Sequence, residues 1–174
     1  MKAIKVLVPA VLVVVIVLPL FAVPKPSDIP PLMNKLKSEN AKERLAAIKE
    51  LGGIGLVKAA YVKQAVPGIL QAAKDDKDMD VRLAALTALG QINPDAEEAV
   101  PVFIEALKTN DDRLQIAALQ GIVYFGPKAK AALAEVNRIQ AEIRKLDKDA
   151  QKKKRNLQKA AGAAADAITG RGKG

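Results

Sequence analysis

Asp75, Asp76, Asp78 and Asp80 cluster within six positions. Alternating carboxylates can hold calcium, but a calcium loop also needs a glycine at its bend and a closing glutamate, and this spacing supplies neither. Acids between two helices have a simpler use, because a helix N-terminus attracts negative charge. Serine occurs only at Ser27 and Ser38, so a Ser–Lys nucleophile has no place beyond a proline-rich stretch and a turn. Gly52-Gly53-Ile54-Gly55 has the glycine density of a phosphate cradle, yet it follows a helical pattern rather than a strand. Gln151-Lys152-Lys153-Lys154-Arg155 is the densest charge run. It lacks the interleaved aromatics of a nucleic-acid binder. Lys152, Lys153, Lys154 and Arg155 suit an acidic protein partner or anionic lipid better than nucleic acid. There is no histidine and no cysteine, which removes imidazole acid–base chemistry, thiol nucleophiles, thiolate metal sites and disulfides. The residues describe a protein that is not an enzyme and carries no cofactor or metal.

The elements behind these residues are helical. The chain has 174 residues, enough for one domain or a short repeat array plus a targeting segment. Half of it is hydrophobic and only 3% aromatic, with no tryptophan. Alanine, leucine, valine and isoleucine supply most of that half and favour helix. The net charge of +9 is uneven: residues 1–26 carry +3, residues 27–140 balance to zero, and residues 141–174 carry +6. The basicity belongs to the two ends.

Met1–Lys5 is short and positive, and Val6–Val23 is an uncharged run, VLVPAVLVVVIVLPLFAV. A positive start, an apolar middle and a polar exit read as an export signal, cut after Ala22. Eighteen apolar residues could also serve as an uncleaved anchor, although Pro9 and Pro19 shorten the uninterrupted helix. Residues 23–31 form a proline-rich spacer, because proline fixes φ and removes a donor.

The middle of the chain repeats itself. Ile29-Pro30, Val66-Pro67 and Val100-Pro101 each open a run that is apolar at helical spacing and ends at Lys37, Lys74 or Lys108. A polar turn follows (SEN, DDKD or TNDD), then an alanine-rich helix around Ala46-Ala47-Ile48, Ala84-Ala85-Leu86 or Ala117-Ala118-Leu119. Proline in the first turn of a helix costs no hydrogen bond. The Asn, Asp and Ser of the turns can cap the second helix. Val81, Ala85, Ala88, Leu89 and Ile92 share one helical face. Gly52 and Gly90 stand where the second helix is expected to end, as left-handed caps; the third copy has Val123 there and breaks at Gly126-Pro127. One unit is a helical hairpin of about 35 residues, which needs neighbours to bury its apolar face. The link from Gly52 to Val66 is longer than that from Gly90 to Val100. An extra turn filling a gap accounts for it, and Tyr61 is the residue there that would touch a partner.

Asp80-Val81-Arg82, Ala84-Ala85 and Ala88-Leu89-Gly90 resemble the HEAT repeat, and the likeness spans 28–126. The resemblance implies an all-α solenoid of about three hairpins that acts as a protein–protein interaction scaffold. It also implies a ladder of aspartate and arginine along one edge, whose residues here are Arg44, Asp80, Arg82 and Gln115, the candidate partner contacts. The ladder is incomplete: Lys42 replaces the aspartate in the first copy, and Arg113 and Gln115 replace the pair in the third. Solenoids with open ends can stack, so self-association is expected. The exported chain is similar to small HEAT subunits that organise a larger enzyme complex, such as the tubule-forming one of bacterial nitrite oxidoreductase. A membrane-surface tether and an accessory of the bilin-lyase type are the alternatives.

Residues 127–169 form a C-terminal extension, and 170–174 a flexible tail. Val136, Ile139, Ile143, Leu146, Ala150 and Leu157 follow a heptad-like spacing, so Val136, Ile139, Ile143 and Leu146 make a candidate helix-association face. Two shapes fit: one helix from Lys128 to Ile168, roughly 60 Å long, or a degenerate fourth hairpin bent at Asp147-Lys148-Asp149. The lack of glycine, proline or serine at the bend favours the single helix.

Mass spectrometry of the protein from its source should find an N-terminus at Val23. A chain that still begins at Met1 keeps the anchor.

Overall fold

Asn40, Asp78, Asp111 and Asp147 each end a turn and start a helix. Their side-chain oxygens accept from Lys42 N (3.0 Å), from Asp80 N and Val81 N (2.9 and 3.1 Å), from Arg113 N and Leu114 N (2.9 and 3.3 Å) and from Ala150 N (2.8 Å). Each satisfies backbone donors that have no partner within the helix. These four caps set the rhythm of the fold.

The computed structural model describes residues 24–171. The export signal or anchor expected at 1–22 and the last residues of the tail, 172–174, lie outside the described residues. The helices are α1 (Ile29–Lys35), α2 (Ala41–Val62), α3 (Val66–Asp75), α4 (Met79–Ile92), α5 (Ala96–Leu107), α6 (Asp112–Phe125), α7 (Leu133–Lys145), α8 (Lys148–Lys153) and α9 (Arg155–Thr169). Short 3₁₀ turns cover Pro26–Asp28, Lys63–Ala65 and Gly126–Ala132. There is no strand among the described residues. No helix among them is long and apolar enough to cross a membrane.

The hairpins α1/α2, α3/α4, α5/α6 and α7/α9 stack in order. The second helices α2, α4, α6 and α9 pack side by side as one layer, and the first helices form the other. Small residues make the close layer possible. A Cβ added to Gly52 would lie 3.0 Å from Ala88 Cβ, and one on Gly90 would lie 2.9 Å from Gly121 Cα. A Cβ on Gly121 would strike the ring of Phe103. Phe103 in turn meets Phe125 edge to face, with centroids 5.6 Å apart. The core runs continuously through the stack from Ile29 to Ile168.

Four expectations change. Gly52 and Gly90 are not caps: both are buried inside helices, and they serve close helix approach. The left-handed cap of α4 is Asn93 (φ 49°, ψ 58°), a residue type that tolerates that conformation. The long link after Leu51 is mostly helix, since α2 continues to Val62 and only Lys58 leaves helical values (φ −149°, ψ 82°). The third outer helix starts at Ala96, capped by Asp95, so Pro101 sits inside it rather than at its start.

The fourth difference is the C-terminal extension, which is a hairpin and not one long helix. Leu146 is extended (φ −73°, ψ 157°) and Asp147 caps α8. A bend without glycine or proline forms because returning the chain buries Leu157, Ala161, Ala164 and Ile168 against α6 and α7. Gln140 Nε2 also donates to Ala161 O across the hairpin (3.0 Å).

Replacing Gly90 by alanine should cost about 1–3 kcal/mol by overpacking. Gly162 is inside α9 with nothing within 4 Å of an added Cβ; alanine there should add about 0.5–1 kcal/mol. Urea denaturation of the two variants checks both.

Candidate functional site

The turns of the hairpins line one edge of the stack, and their carbonyls need donors. The residue four positions after each cap supplies them. Arg44 Nη1 donates to Ser38 O (2.8 Å) and Glu39 O (3.0 Å). Arg82 Nη1 donates to Asp76 O (2.8 Å). Gln115 Nε2 donates to Leu107 O (3.1 Å) and Thr109 O (2.6 Å). Gln151 Nε2 donates to Arg144 O (3.3 Å) and Leu146 O (2.8 Å). Arginine and glutamine do the same work at equivalent places, each clipping its own turn.

One clip also reaches the next repeat. Arg44 Nε and Nη2 form a fork on the two carboxylate oxygens of Asp76, both at 2.7 Å. The two side chains are 8% and 7% exposed, so water hardly competes. The Arg44 hydrogen bonds hold the Asp76 carboxyl below the usual carboxylate range, while burial opposes this; the Asp78 N–H also donates to it. The same pairing raises the Arg44 guanidinium. The ladder partner is therefore Asp76, two residues before the cap, and not Asp80.

Asp80 instead is exposed and lines a shallow groove on the layer of second helices. Leu45, Lys49, Asp80, Leu83 and Thr87 surround one depression of about 300 Å³. Thr87, Gln120, Val123 and Tyr124 surround a second of about 320 Å³. Thr87 joins them, so the groove crosses α2, α4 and α6. Val123 and Tyr124 are 41% and 53% exposed, a high value for adjoining apolar side chains. At the end of α2, Leu56 and Val57 are exposed as well.

The candidate partner residues thus divide. Arg44 and Gln115 are buried and occupied within the chain, so neither is available to a partner. Arg82 is half-buried at the turn edge, and Asp80 lies in the groove. Tyr61 is half-buried past the Lys58 kink, with Lys58 Nζ 5.3 Å from its ring centroid. Val136, Ile139 and Ile143 are spent inside the fourth hairpin and offer no free association face; Leu146 alone of that set is exposed. Lys154 is paired with Asp112 of the third repeat at 2.5 Å, whereas Lys152, Lys153 and Arg155 are exposed. Val123 and Tyr124 did not stand out in the sequence. Their signal was available in the register, because Val123 takes the place of Gly52 and Gly90.

Among the described residues no three acidic side chains converge as metal ligands. The family model described as HEAT repeats matches residues 29–123. No curated protein matches the chain.

The Asp76 carboxyl gives the ladder an acid limit. A depressed carboxyl contributes stability that is complete above its unfolded pKa of about 3.9 and is lost as pH falls through the lower folded value. Asp76→Asn should lower the denaturation midpoint at pH 7 and flatten its fall on acidification below about pH 4. Unfolding curves from pH 7 to 2 read both effects.

Proposed function

The chain belongs to the HEAT-repeat family, and from that premise we propose that it is an exported scaffold which holds a segment of another protein in the groove across α2, α4 and α6. HEAT repeats are protein–protein interaction scaffolds, and this chain shares their architecture. The observation that carries the finer reading is the pair Val123 and Tyr124. Large apolar side chains left this exposed beside a groove mark contact surface rather than core. Lys49 and Asp80 at the other end of the groove add one charge of each sign, which can fix the register of a bound segment.

The proposed location outside the cytoplasm rests on Met1–Val23, where positive charge precedes an apolar run. Assembly into a larger complex is proposed to run through the groove. Val136, Ile139 and Ile143 of the heptad-like face are buried, and the last helix exposes Arg155, Lys159 and Asp166, the polar surface expected of a terminal cap.

Val123→Asp and Tyr124→Asp test this reading. Both sites are exposed, so the thermal midpoint should move little, while proteins recovered by the wild-type mature chain from the exported fraction of its source should be lost. Undiminished recovery by both variants, or no protein recovered by the wild type, would overturn it.

A further inference from the structure

The ladder has a rung with a missing partner. Arg44 forks onto Asp76 of the second repeat. Arg82 occupies the same place one repeat later, four residues after its cap. The place that Asp76 holds, two residues before the cap, is Thr109 in the third repeat. Thr109 turns its hydroxyl to Ala106 O (2.8 Å) and offers Arg82 no carboxylate. Arg82 Nη1 is used by Asp76 O. Its Nη2 has only the sulfur of Met79 at 3.5 Å. Among the described residues nothing accepts from its Nε.

A cleft of about 230 Å³ adjoins this rung, lined by Lys74, Arg82, Glu105 and Thr109 with Val102 and Leu114. Lys74 Nζ is 3.9 Å from Glu105, a long contact between half-open side chains. That pair leaves Lys74 able to take a nearer anion. A guanidinium with free donors beside an ammonium matches a planar carboxylate, which accepts two parallel hydrogen bonds. The first rung shows the geometry already made within this chain.

We propose that the cleft beside Arg82 is a binding site for a carboxylate, taken either from a free small acid or from an acidic side chain of a docked protein. It shares no residue with the groove around Thr87, so Tyr124→Asp leaves it intact and the two proposals fail separately. Glu105 is a like charge at its rim and weakens it.

The test follows the Arg82 Nε–H resonance, assigned through Arg82→Lys, in the folded mature chain. Sodium succinate, against sodium chloride at equal ionic strength, should shift it saturably. Thr109→Asp supplies the carboxylate from within; it should shift the resonance without ligand, abolish the succinate response and raise the thermal midpoint. Glu105→Gln should tighten binding several-fold. A peptide with an internal glutamate and an amidated C-terminus that binds about tenfold more tightly than succinate, and loses this when the glutamate is replaced by glutamine, assigns the carboxylate to a protein partner. Equal affinities assign a free acid. An Arg82 resonance that neither probe moves, or that moves equally in Thr109→Asp, refutes the site.

Discussion

Four hairpins share one core only because the second helices can lie nearly backbone to backbone. Gly52 against Ala88 and Gly90 against Gly121 set that distance. A hairpin of this size cannot cover its own apolar face, so each depends on the fit of the next. Larger residues at these contacts would separate the layer of second helices and uncover Leu89, Leu119 and Ile122, all fully buried here. The caps, the turn clips and the groove take their positions from this spacing.

The period of the repeat was legible in the sequence, and so were the caps, because both are local. Asn40, Asp78 and Asp111 announce a helix start by residue type alone. What the sequence hid was decided by packing. Glycine reads as a cap when only the chain direction is considered, yet a buried glycine within a continuing apolar face reads as a close contact. The heptad of α7 misled in a similar way. Val136, Ile139 and Ile143 carry the spacing of an association seam, but the same spacing serves a helix whose partner is α9 of its own chain. Asp147 is of a residue type that caps helices, and its cap on Ala150 N outweighs the absence of a turn residue beside it.

The ladder shows how a family pattern can be kept in function while it changes in type. A donor four residues after the cap is retained in every repeat: Arg44, Arg82, Gln115, Gln151. Its duty to the preceding carbonyls needs only an N–H group, and glutamine provides one. The second duty, reaching a carboxylate in the next repeat, needs the guanidinium fork and an aspartate two places before the next cap. That place reads Asp76, then Thr109, then Lys145. An arginine at 115 would meet the lysine end of this series, and glutamine avoids the repulsion while keeping the clip. The sequence therefore changes arginine to glutamine in the same repeat in which it gives up the aspartate. Arg82 is the residue left between the two regimes.

The distribution of charge follows from the same division of labour. Within the repeats, the arginines are largely used at short range: Arg44 on Asp76, Arg113 on Asp111, Arg138 on Glu135 and Glu142. Arg138 also donates to Leu107 O, the carbonyl that Gln115 already uses, which ties the fourth hairpin to the third. Lys154 does so too, through Asp112. The excess of the C-terminal part thus sits on side chains that no acid of the described residues neutralises, among them Lys152, Lys153 and Arg155. These cations stand at the end of the stack, on the hairpin that closes the core. Such an end is costly for another apolar repeat to cover, since its cations would have to be desolvated without partners. The basic hairpin therefore disfavours an apolar neighbour at this end of the stack, whereas Val123 and Tyr124 expose apolar surface on α6.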